Sequence, residues 1–217
     1  MLTIHHLRLS QSERIVWLAE ELGLDYELKV YERRSDNRLA PDEYKALSPM
    51  GVAPVITDGD LVLGESGAIL EYILATHGTP DQRASFAPGP DSPDHADHLF
   101  WFHWANGTFM ATAMLSLMLT IANAPEGNLA EAFSRDRNAK AWAMIEARLG
   151  EADYFGGQSL TLADINMGYA LTTGRAFRQT SVEPFPNIRA WLQRIGQRDA
   201  YRAAMAKAEP GMTPMLS

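Results

Sequence analysis

The sequence predicts an α+β domain followed by an all-α domain, and three observations support this division. Short β-type runs alternate with helical patterns in the first third of the chain. Four of the twelve prolines then fall between Thr79 and Pro93, where no hydrophobic period survives. Beyond this segment, four of the five tryptophans lie in helical periodicity and no convincing strand appears. We therefore predict domains over 1–78 and 93–217, with a linker at 79–92.

The first domain is predicted to have the order βαβ, a short helix, ββ and a final helix. Its predicted elements are strands at 2–7, 26–31, 54–57 and 61–63 and helices at 10–22, 42–47 and 66–77. Gly23 is a typical stop for the first helix, and Asp58-Gly59 is a typical hairpin turn. Because two strands joined through a helix run parallel, this order predicts a mixed sheet.

The second domain is predicted to begin with a long helix. Ser92 is a good N-cap and Pro93 a good first helical residue, so the helix should run from there to about Ala122, with a bend at Gly107. Thr161 and Asp164 have the spacing of a capping box, with Leu160 able to pack on Ile165. The other predicted helices lie at 128–149, 163–175, 188–195 and 198–207.

Composition excludes several classes of function. Among 217 residues, 46% are hydrophobic and 21% charged, which is typical of a globular chain. There is no cysteine, so the protein supplies no thiolate as nucleophile or metal ligand. A net charge of -8 argues against a nucleic-acid partner. The sequence contains no run of eighteen apolar residues, so no membrane span is predicted. The amino terminus has no apolar signal core, so a cytoplasmic location is expected.

Pro54 is the first candidate for a binding role. It begins an apolar strand, where a residue without an N–H is tolerated at the first position. A cis bond before it would leave the backbone of Ala53 free to pair with a peptide-like ligand as a strand would. An ordinary trans proline at a strand start is the commoner alternative.

Glu65 and Ser66 form the second candidate, at the start of a predicted helix. The free N–H groups and positive dipole end there attract a carboxylate, which the Ser66 hydroxyl can also hold. Glu65 could pair with an ammonium group, so the pair suits an α-amino-acid head. A serine cap beside a dipole-compatible acid is the alternative.

The third candidate is the turn that carries Ser10, Gln11 and Ser12. Ser10 and Glu13 have the S-x-x-E spacing of a capping box, which is the structural interpretation. A hydroxyl at a helix N-terminus can also donate to a bound thiolate. Lowering a thiol pKa from about 8.5 by roughly two units needs about 2.7 kcal/mol, within reach of one charge-assisted hydrogen bond and a helix end.

These segments, the proline-rich linker and the helical remainder resemble a cytosolic glutathione S-transferase of bacterial or fungal type along essentially the whole chain. The resemblance implies a thioredoxin-like glutathione-binding domain and a helical domain that lines an apolar second-substrate pocket. It also implies glutathione as co-substrate, a hydrophobic electrophile as second substrate, a homodimer, and no cofactor or metal.

The resemblance also implies roles for individual residues. Ala53 would bind the cysteinyl part of glutathione through its backbone, Pro54 would be cis, and Glu65 with Ser66 would bind the γ-glutamyl head. Ser10-Gln11 is similar to the Ser-Gln of serine-type members such as the theta class. It implies Ser10 as the hydroxyl that stabilises the thiolate, with Ser12 as the alternative.

Other positions are less complete matches. Val52 stands where many relatives place Lys, Arg or Gln, so it can offer only its backbone. Arg38 is the nearest predicted cation for the glycyl carboxylate, and a solvated loop arginine is the alternative interpretation. Asn106 is expected near glutathione, because it lies in the long helix near where some relatives send a polar side chain to the partner subunit's glutathione. The expected second-substrate pocket contains Trp104, Phe109 and Tyr169; for the aromatic residues of the long helix, core or dimer interface is the alternative.

The histidines have structural interpretations. His95 and His98 have a spacing that could bind a metal, but exposed polar residues in a first helical turn are the expected explanation. His5 and His6 are expected on opposite faces of the first strand.

The predicted activity is ionisation of glutathione and addition of its thiolate to an electrophilic carbon or a peroxide, as in detoxification. One alternative is a disulfide-bond reductase that relies on glutathione itself. The other is a glutathione-binding or interaction module without turnover, since one fold can serve both roles.

Overall fold

The computed structural model describes residues 1–125, 127–177 and 180–217. Its first part has the predicted order βαβ-α-ββα. The elements are β1 Leu2–Leu7, α1 Glu13–Leu22, β2 Glu27–Tyr31, α2 Asp42–Lys45, β3 Val55–Asp58, β4 Leu61–Gly64 and α3 Ser66–His77. The strands lie in the order β2-β1-β3-β4, with β1 and β2 parallel and the other pairs antiparallel, which confirms the predicted mixed sheet.

Both faces of the central strand β1 are covered. His5 and His6 point to opposite faces as expected, yet both are buried, because helices or loops pack on each side. His5 forms hydrogen bonds with the hydroxyls of Tyr31 and Thr57. His6 faces the turn that leads into α1, where it meets Ser12.

The segment predicted as an irregular linker contains a helix, α4 Pro80–Phe86. Thr79 caps it with a capping box to Gln82, and Pro80 is its first residue. The helix has only seven residues, too few for a hydrophobic period to be visible in the sequence.

The second part is helical. Its elements are α5 His95–Trp104, a π-helical segment Ala105–Met110, α6 Ala111–Ile121, α7 Leu129–Glu151, α8 Leu162–Leu171, a 3-10 turn Thr173–Phe177, α9 Pro186–Gly196 and α10 Asp199–Ala208. The predicted long helix thus starts two residues later than expected, at His95 rather than Pro93. Its predicted bend at Gly107 falls within the π-helical segment, a feature that is frequent at functional sites.

The capping box of α8 is confirmed. Thr161 accepts a hydrogen bond from the Ala163 N–H, and Asp164 accepts one from the Thr161 N–H at 3.0 Å. The helix ends at Leu171 rather than at Arg175, because the backbone of Thr172 leaves the helical conformation and a 3-10 turn follows.

One hydrophobic core joins the two parts. It extends from β1 and α1 through α3 to α8, α9 and α10. α1 packs on α8 at Gly168, where a Cβ would lie 2.8 Å from the ring of Trp17, so this close approach requires glycine. The turn before α1 is therefore held between the sheet and the helical part.

One stretch of the described residues, His95–Ile121, is long and apolar enough to cross a membrane by length and composition. Core helices meet the same criterion, and Trp101, Phe102 and Phe109 from this stretch are buried in the core. Leu99 and Phe100 remain exposed on its outer side. Length and composition alone are therefore weak evidence for a span.

Candidate functional site

A cleft of about 660 Å³ opens beside the start of α3. It lies between the loop before β3, the end of β4, the turn before α1 and the π-helical segment. All the predicted glutathione-binding residues except Arg38 line it: Gln11, Val52, Ala53, Pro54, Glu65, Ser66 and Asn106. Residues distant in sequence are thus brought to one place, in a volume typical of small-ligand sites.

The peptide bond between Ala53 and Pro54 is cis, as the resemblance implies. Pairing of β3 with both neighbours starts at Val55, so Ala53 lies just beyond the ladder. The backbone of Ala53 can therefore offer its polar groups to a ligand in the cleft.

Glu65 and Ser66 occupy the N-terminus of α3 without forming a side-chain cap. Glu65 is exposed and has φ +69°, a costly conformation for a residue other than glycine. Ser66 is the first helical residue, is 2% exposed, and accepts a hydrogen bond from Arg14 at 3.1 Å. The capping alternative is therefore absent, and the free N–H groups of the helix end remain available for an anion.

The turn before α1 does not form the capping box suggested by Ser10 and Glu13. The helix begins at Glu13, whose carboxylate instead accepts a hydrogen bond from Thr172 of the helical part. Burial raises the pKa of Glu13 to about 7. The hydroxyls of Ser10 and Ser12 are 2.7 Å apart; Ser10 keeps 5% exposure and Ser12 has none.

Arg14 is a residue of the site that sequence reasoning missed. It is fully buried, and four acceptors lie 2.9–3.1 Å from one nitrogen, Nη1, and share its two hydrogens: Gln11, Ser66, Asn106 and Asn166. Burial lowers its pKa to about 10, whereas Tyr169 and Glu13 raise it. The available signal was a charged residue inside the apolar run of α1, since buried arginines are rare unless paired.

A second pocket of about 310 Å³ adjoins the cleft, and Met114 lines both. Tyr169 lines this pocket, together with methionines of the long helix and Arg33. Trp104 and Phe109 do not. They are 8% and 0% exposed, and their rings stack on each other in the core with 5.4 Å between centroids. The side of the long helix that carries them faces inward.

Comparison with known proteins agrees with this geometry. Residues 10–76 match the family model for the glutathione S-transferase N-terminal domain, and residues 109–199 match that for the C-terminal domain. The chain is 30% identical to glutathione S-transferase 3 of Schizosaccharomyces pombe, over all of this chain and 92% of that protein. The chain belongs to the glutathione S-transferase family.

Two solved glutathione S-transferases are similar in structure. One, from Actinobacillus pleuropneumoniae, is 32% identical with a TM-score of 0.85, covering 96% of this chain and 93% of that one. The other is the theta-class enzyme of Xanthomonas axonopodis pv. citri with glutathione bound. It is 27% identical with a TM-score of 0.67, covering 94% of this chain and 96% of that one.

Within this glutathione S-transferase fold, Arg38 is not in the cleft. It is exposed and lines a separate depression with Arg8, Arg33 and Arg34, because the loop after β2 carries it away. Val52 is 54% exposed at the cleft and has no charge. A cation lies beside this edge: Lys45 of α2, whose side chain is next to Gly51 and whose ammonium group is 3.4 Å from Asp42.

The interpretation of His98 as an exposed residue is wrong. It is 4% exposed and stacks on Phe102, and burial, with help from His95 and His103, lowers its pKa to about 4. His95 instead bonds to the carbonyl of Pro88 at 2.7 Å. Over residues 1–125, 127–177 and 180–217, no cluster of metal-ligating side chains is present.

Proposed function

We propose that this chain is a glutathione transferase that binds glutathione in the cleft and holds its sulfur as a thiolate beside Ser10. The observation that carries the proposal is the convergence in one cleft of the Ala53 backbone, the Glu65 carboxylate, the Ser66 hydroxyl and Gln11. These groups complement a tripeptide with an amino-acid head. The theta-class relative with glutathione bound supports the same ligand.

The γ-glutamyl head is proposed to lie at the start of α3. Its carboxylate would accept hydrogen bonds from the Ser66 hydroxyl and the helix N–H groups, and its ammonium group would pair with Glu65. The cysteinyl part would then bond to the Ala53 backbone. For the glycyl carboxylate, Lys45 replaces Arg38 as the candidate cation, because it lies beside Gly51 at the Val52 edge.

Ser10 is proposed to stabilise the thiolate. Of the two serines, only Ser10 retains accessible surface, and it adjoins Gln11, which lines the cleft. Ser10 is therefore the serine that a ligand can approach with the smaller rearrangement. The N-terminus of α1 adds a favourable field for the negative sulfur. Catalysis then consists of thiol ionisation and positioning of the electrophile.

The second pocket is proposed to bind the electrophile. Met110, Met114 and Met118 give it an adaptable apolar wall, which suits a broad range of hydrophobic compounds. Arg33 lies at its rim, held by backbone carbonyls of Arg8, Leu9 and Arg38. We therefore expect good substrates to combine an apolar body with a hydrogen-bond acceptor or an anionic group. Many compounds that a detoxification enzyme would act on have this character.

Ser10→Ala tests the thiolate role. The bound thiol should lose its donor, so we expect its pKa to rise by about one to two units and conjugation below that pKa to fall roughly tenfold to hundredfold. Ultraviolet absorbance of the bound thiolate and conjugation rates measure this. Ser48→Ala, which removes a hydroxyl from a serine that lines the cleft, is the control and should behave as wild type.

Several outcomes would contradict the proposal. Unchanged values in Ser10→Ala would remove Ser10 from the mechanism, and absence of glutathione binding in calorimetry would remove the function altogether. Binding without turnover of aryl halides, peroxides or disulfides would indicate a binding module. Turnover of disulfides alone would indicate a disulfide-bond reductase.

A cytoplasmic homodimer is part of the proposal, as the resemblance to cytosolic members implies. Leu99 and Phe100 on α5 and Val62 on β4 are exposed apolar residues that a second copy could cover. Light scattering at micromolar concentration should give twice the 24.0 kDa mass of the chain. A monomer would contradict the assembly.

A further inference from the structure

Four side chains form a continuous hydrogen-bonded chain behind the proposed thiolate site, here called the relay. Its members are Ser10, Ser12, His6 and Glu209. The Ser10 and Ser12 hydroxyls are 2.7 Å apart, Ser12 is 2.8 Å from His6 Nδ1, and His6 Nε2 is 3.1 Å from Glu209 Oε1. Only Ser10 retains as much as 5% exposure, so the relay leads from the site into the interior.

Glu209 determines which atom donates each hydrogen bond of the relay. Burial would raise its pKa, but hydrogen bonds from His6, the Leu9 N–H and Arg8 together hold it below its ordinary value. Glu209 is therefore an ionised group that only accepts, so His6 Nε2 must carry the hydrogen between them. In neutral His6, Nδ1 is then an acceptor, and the Ser12 hydroxyl donates to it.

The remaining hydrogens follow from this assignment. Ser12 Oγ already accepts a hydrogen bond from the Leu7 N–H at 3.1 Å, and it can also accept the Ser10 hydroxyl hydrogen. Ser10 Oγ accepts from the Ser12 N–H at 3.3 Å and keeps a lone pair for an incoming donor. A thiol S–H is a donor of the required kind.

We propose that His6 is a positioning residue that takes up the proton of the bound glutathione thiol through Ser12 and Ser10. The inference rests on the proposed function, because it needs the sulfur at Ser10. The S–H bond breaks with its electron pair left on sulfur, and the hydrogen passes to Ser10. Ser10 passes its own hydrogen to Ser12, and Ser12 passes its own to His6 Nδ1.

The products of this transfer are stabilised at both ends. The transfer creates one negative charge, on the sulfur, and one positive charge, on His6. The thiolate accepts a hydrogen bond from Ser10, and the imidazolium of His6 lies between Ser12 and the Glu209 carboxylate. A histidine oriented by a carboxylate that serves a hydroxyl is an established arrangement for activating nucleophiles. Here the hydroxyls transmit the proton and the nucleophile is the ligand's sulfur.

Glu209 also holds the turn before α1 against the segment that follows α10. Glu209 follows α10, yet it binds the N–H of Leu9, which has φ +55°. A residue other than glycine holds this conformation only when its surroundings fix it. The carboxylate therefore positions the backbone that carries Ser10 as well as the imidazole.

Other charged groups lie close enough to affect a pH profile. They are Glu13 of α1, Arg8 at the end of β1, and Arg33 after β2, each of which interacts with Glu209. Glu13 is the main competitor, since burial raises its pKa to about 7. A test must distinguish the effect of Glu13 from that of the relay.

His6→Gln is the decisive variant. The amide can donate to Glu209 and accept from Ser12 as neutral His6 does, but it cannot take up a proton. We expect the pKa of the bound thiol to rise by at least about one unit, so kcat below that pKa falls about tenfold and recovers at higher pH. The KM for glutathione should change little, because the binding groups are untouched.

His5→Gln and Glu13→Gln are the controls. His5 is equally buried on the other face of β1 and hydrogen-bonded at both nitrogens, so its replacement should leave the thiol's pKa unchanged. Glu13→Gln should retain the pH profile. If the profile shifts in Glu13→Gln and not in His6→Gln, the titration belongs to Glu13 and the proposal is overturned.

Glu209→Gln and Ser12→Ala provide independent measurements if His6→Gln does not fold. Each interrupts the relay at another link and should raise the thiol's pKa in the same direction. Wild-type profiles in the folded relay variants, together with an altered profile in Ser10→Ala, would overturn the relay and leave the proposed function standing. A wild-type chain that binds no glutathione would instead overturn the proposed function, and the relay with it.

Discussion

Replacement of Arg14 by methionine is expected to weaken both the protein and its glutathione site. The change removes a buried donor shared by four acceptors, of which Gln11, Ser66 and Asn106 line the cleft and Asn166 lies on α8. We expect the free energy of unfolding to fall by about 3 kcal/mol, as when one partner of a buried charged network is deleted. Because Ser66 and Gln11 lose their orientation, glutathione affinity should fall at least about tenfold, or 1.4 kcal/mol.

Urea unfolding and calorimetric titration measure the two effects. Arg198→Met is the matched control: Arg198 also joins the two parts of the chain, through Glu21 of α1, but it lies outside the cleft. It should lower stability without changing glutathione affinity. If Arg14→Met bound glutathione as tightly as wild type, Arg14 would have a role in folding alone. Arg14→Lys, which keeps the charge, allows the same comparison if the methionine variant does not fold.

Asp164→Ala is expected to cause the largest loss of stability. Asp164 is fully buried and accepts hydrogen bonds from the Phe155 N–H, the Thr161 N–H and hydroxyl, and the Trp191 indole. Without the carboxylate these buried donors have no acceptor, and each orphaned group costs about 1–3 kcal/mol. We expect a loss of about 3–5 kcal/mol in the free energy of unfolding.

Thermal and urea unfolding measure this loss. Asp153→Ala is the matched control, because Asp153 pairs with Arg194 at the surface and should contribute less than about 1 kcal/mol. Thr161→Ala should lie between them at about 1 kcal/mol, the usual value of an N-cap hydroxyl. A loss in Asp164→Ala no larger than that of Asp153→Ala would show that α8 does not depend on this carboxylate.

Local signals in the sequence predict most of the secondary structure. Alternation and helical periodicity predict β1 and α1, Asp58-Gly59 predicts the hairpin, and Thr161 with Asp164 predicts the start of α8. Each of these depends on residues a few positions apart. Short or irregular elements were missed, such as α4 in the predicted linker and the π-helical segment, because neither has a visible period.

Only some of the residues of the candidate site could be predicted from the sequence. Ala53, Glu65 and Ser66 belong to compact motifs, and the structure places them in the cleft. For Arg38, Trp104 and Phe109 the sequence offers only a suitable residue type, and the structure places them outside the cleft and the second pocket. An aromatic residue on a helix is equally suited to a core and to a pocket, so the neighbouring helices decide which face it occupies.

The sequence by itself determined the order of elements and the absence of cysteine. Because there is no cysteine, any thiolate in the site must come from a ligand. Only the tertiary structure decided the surroundings of that thiolate. Arg14 reaches Asn166, and His6 reaches Glu209, across 152 and 203 positions of the chain. Such contacts follow from how helices pack on a sheet, and no local pattern of residues encodes a distance of that kind.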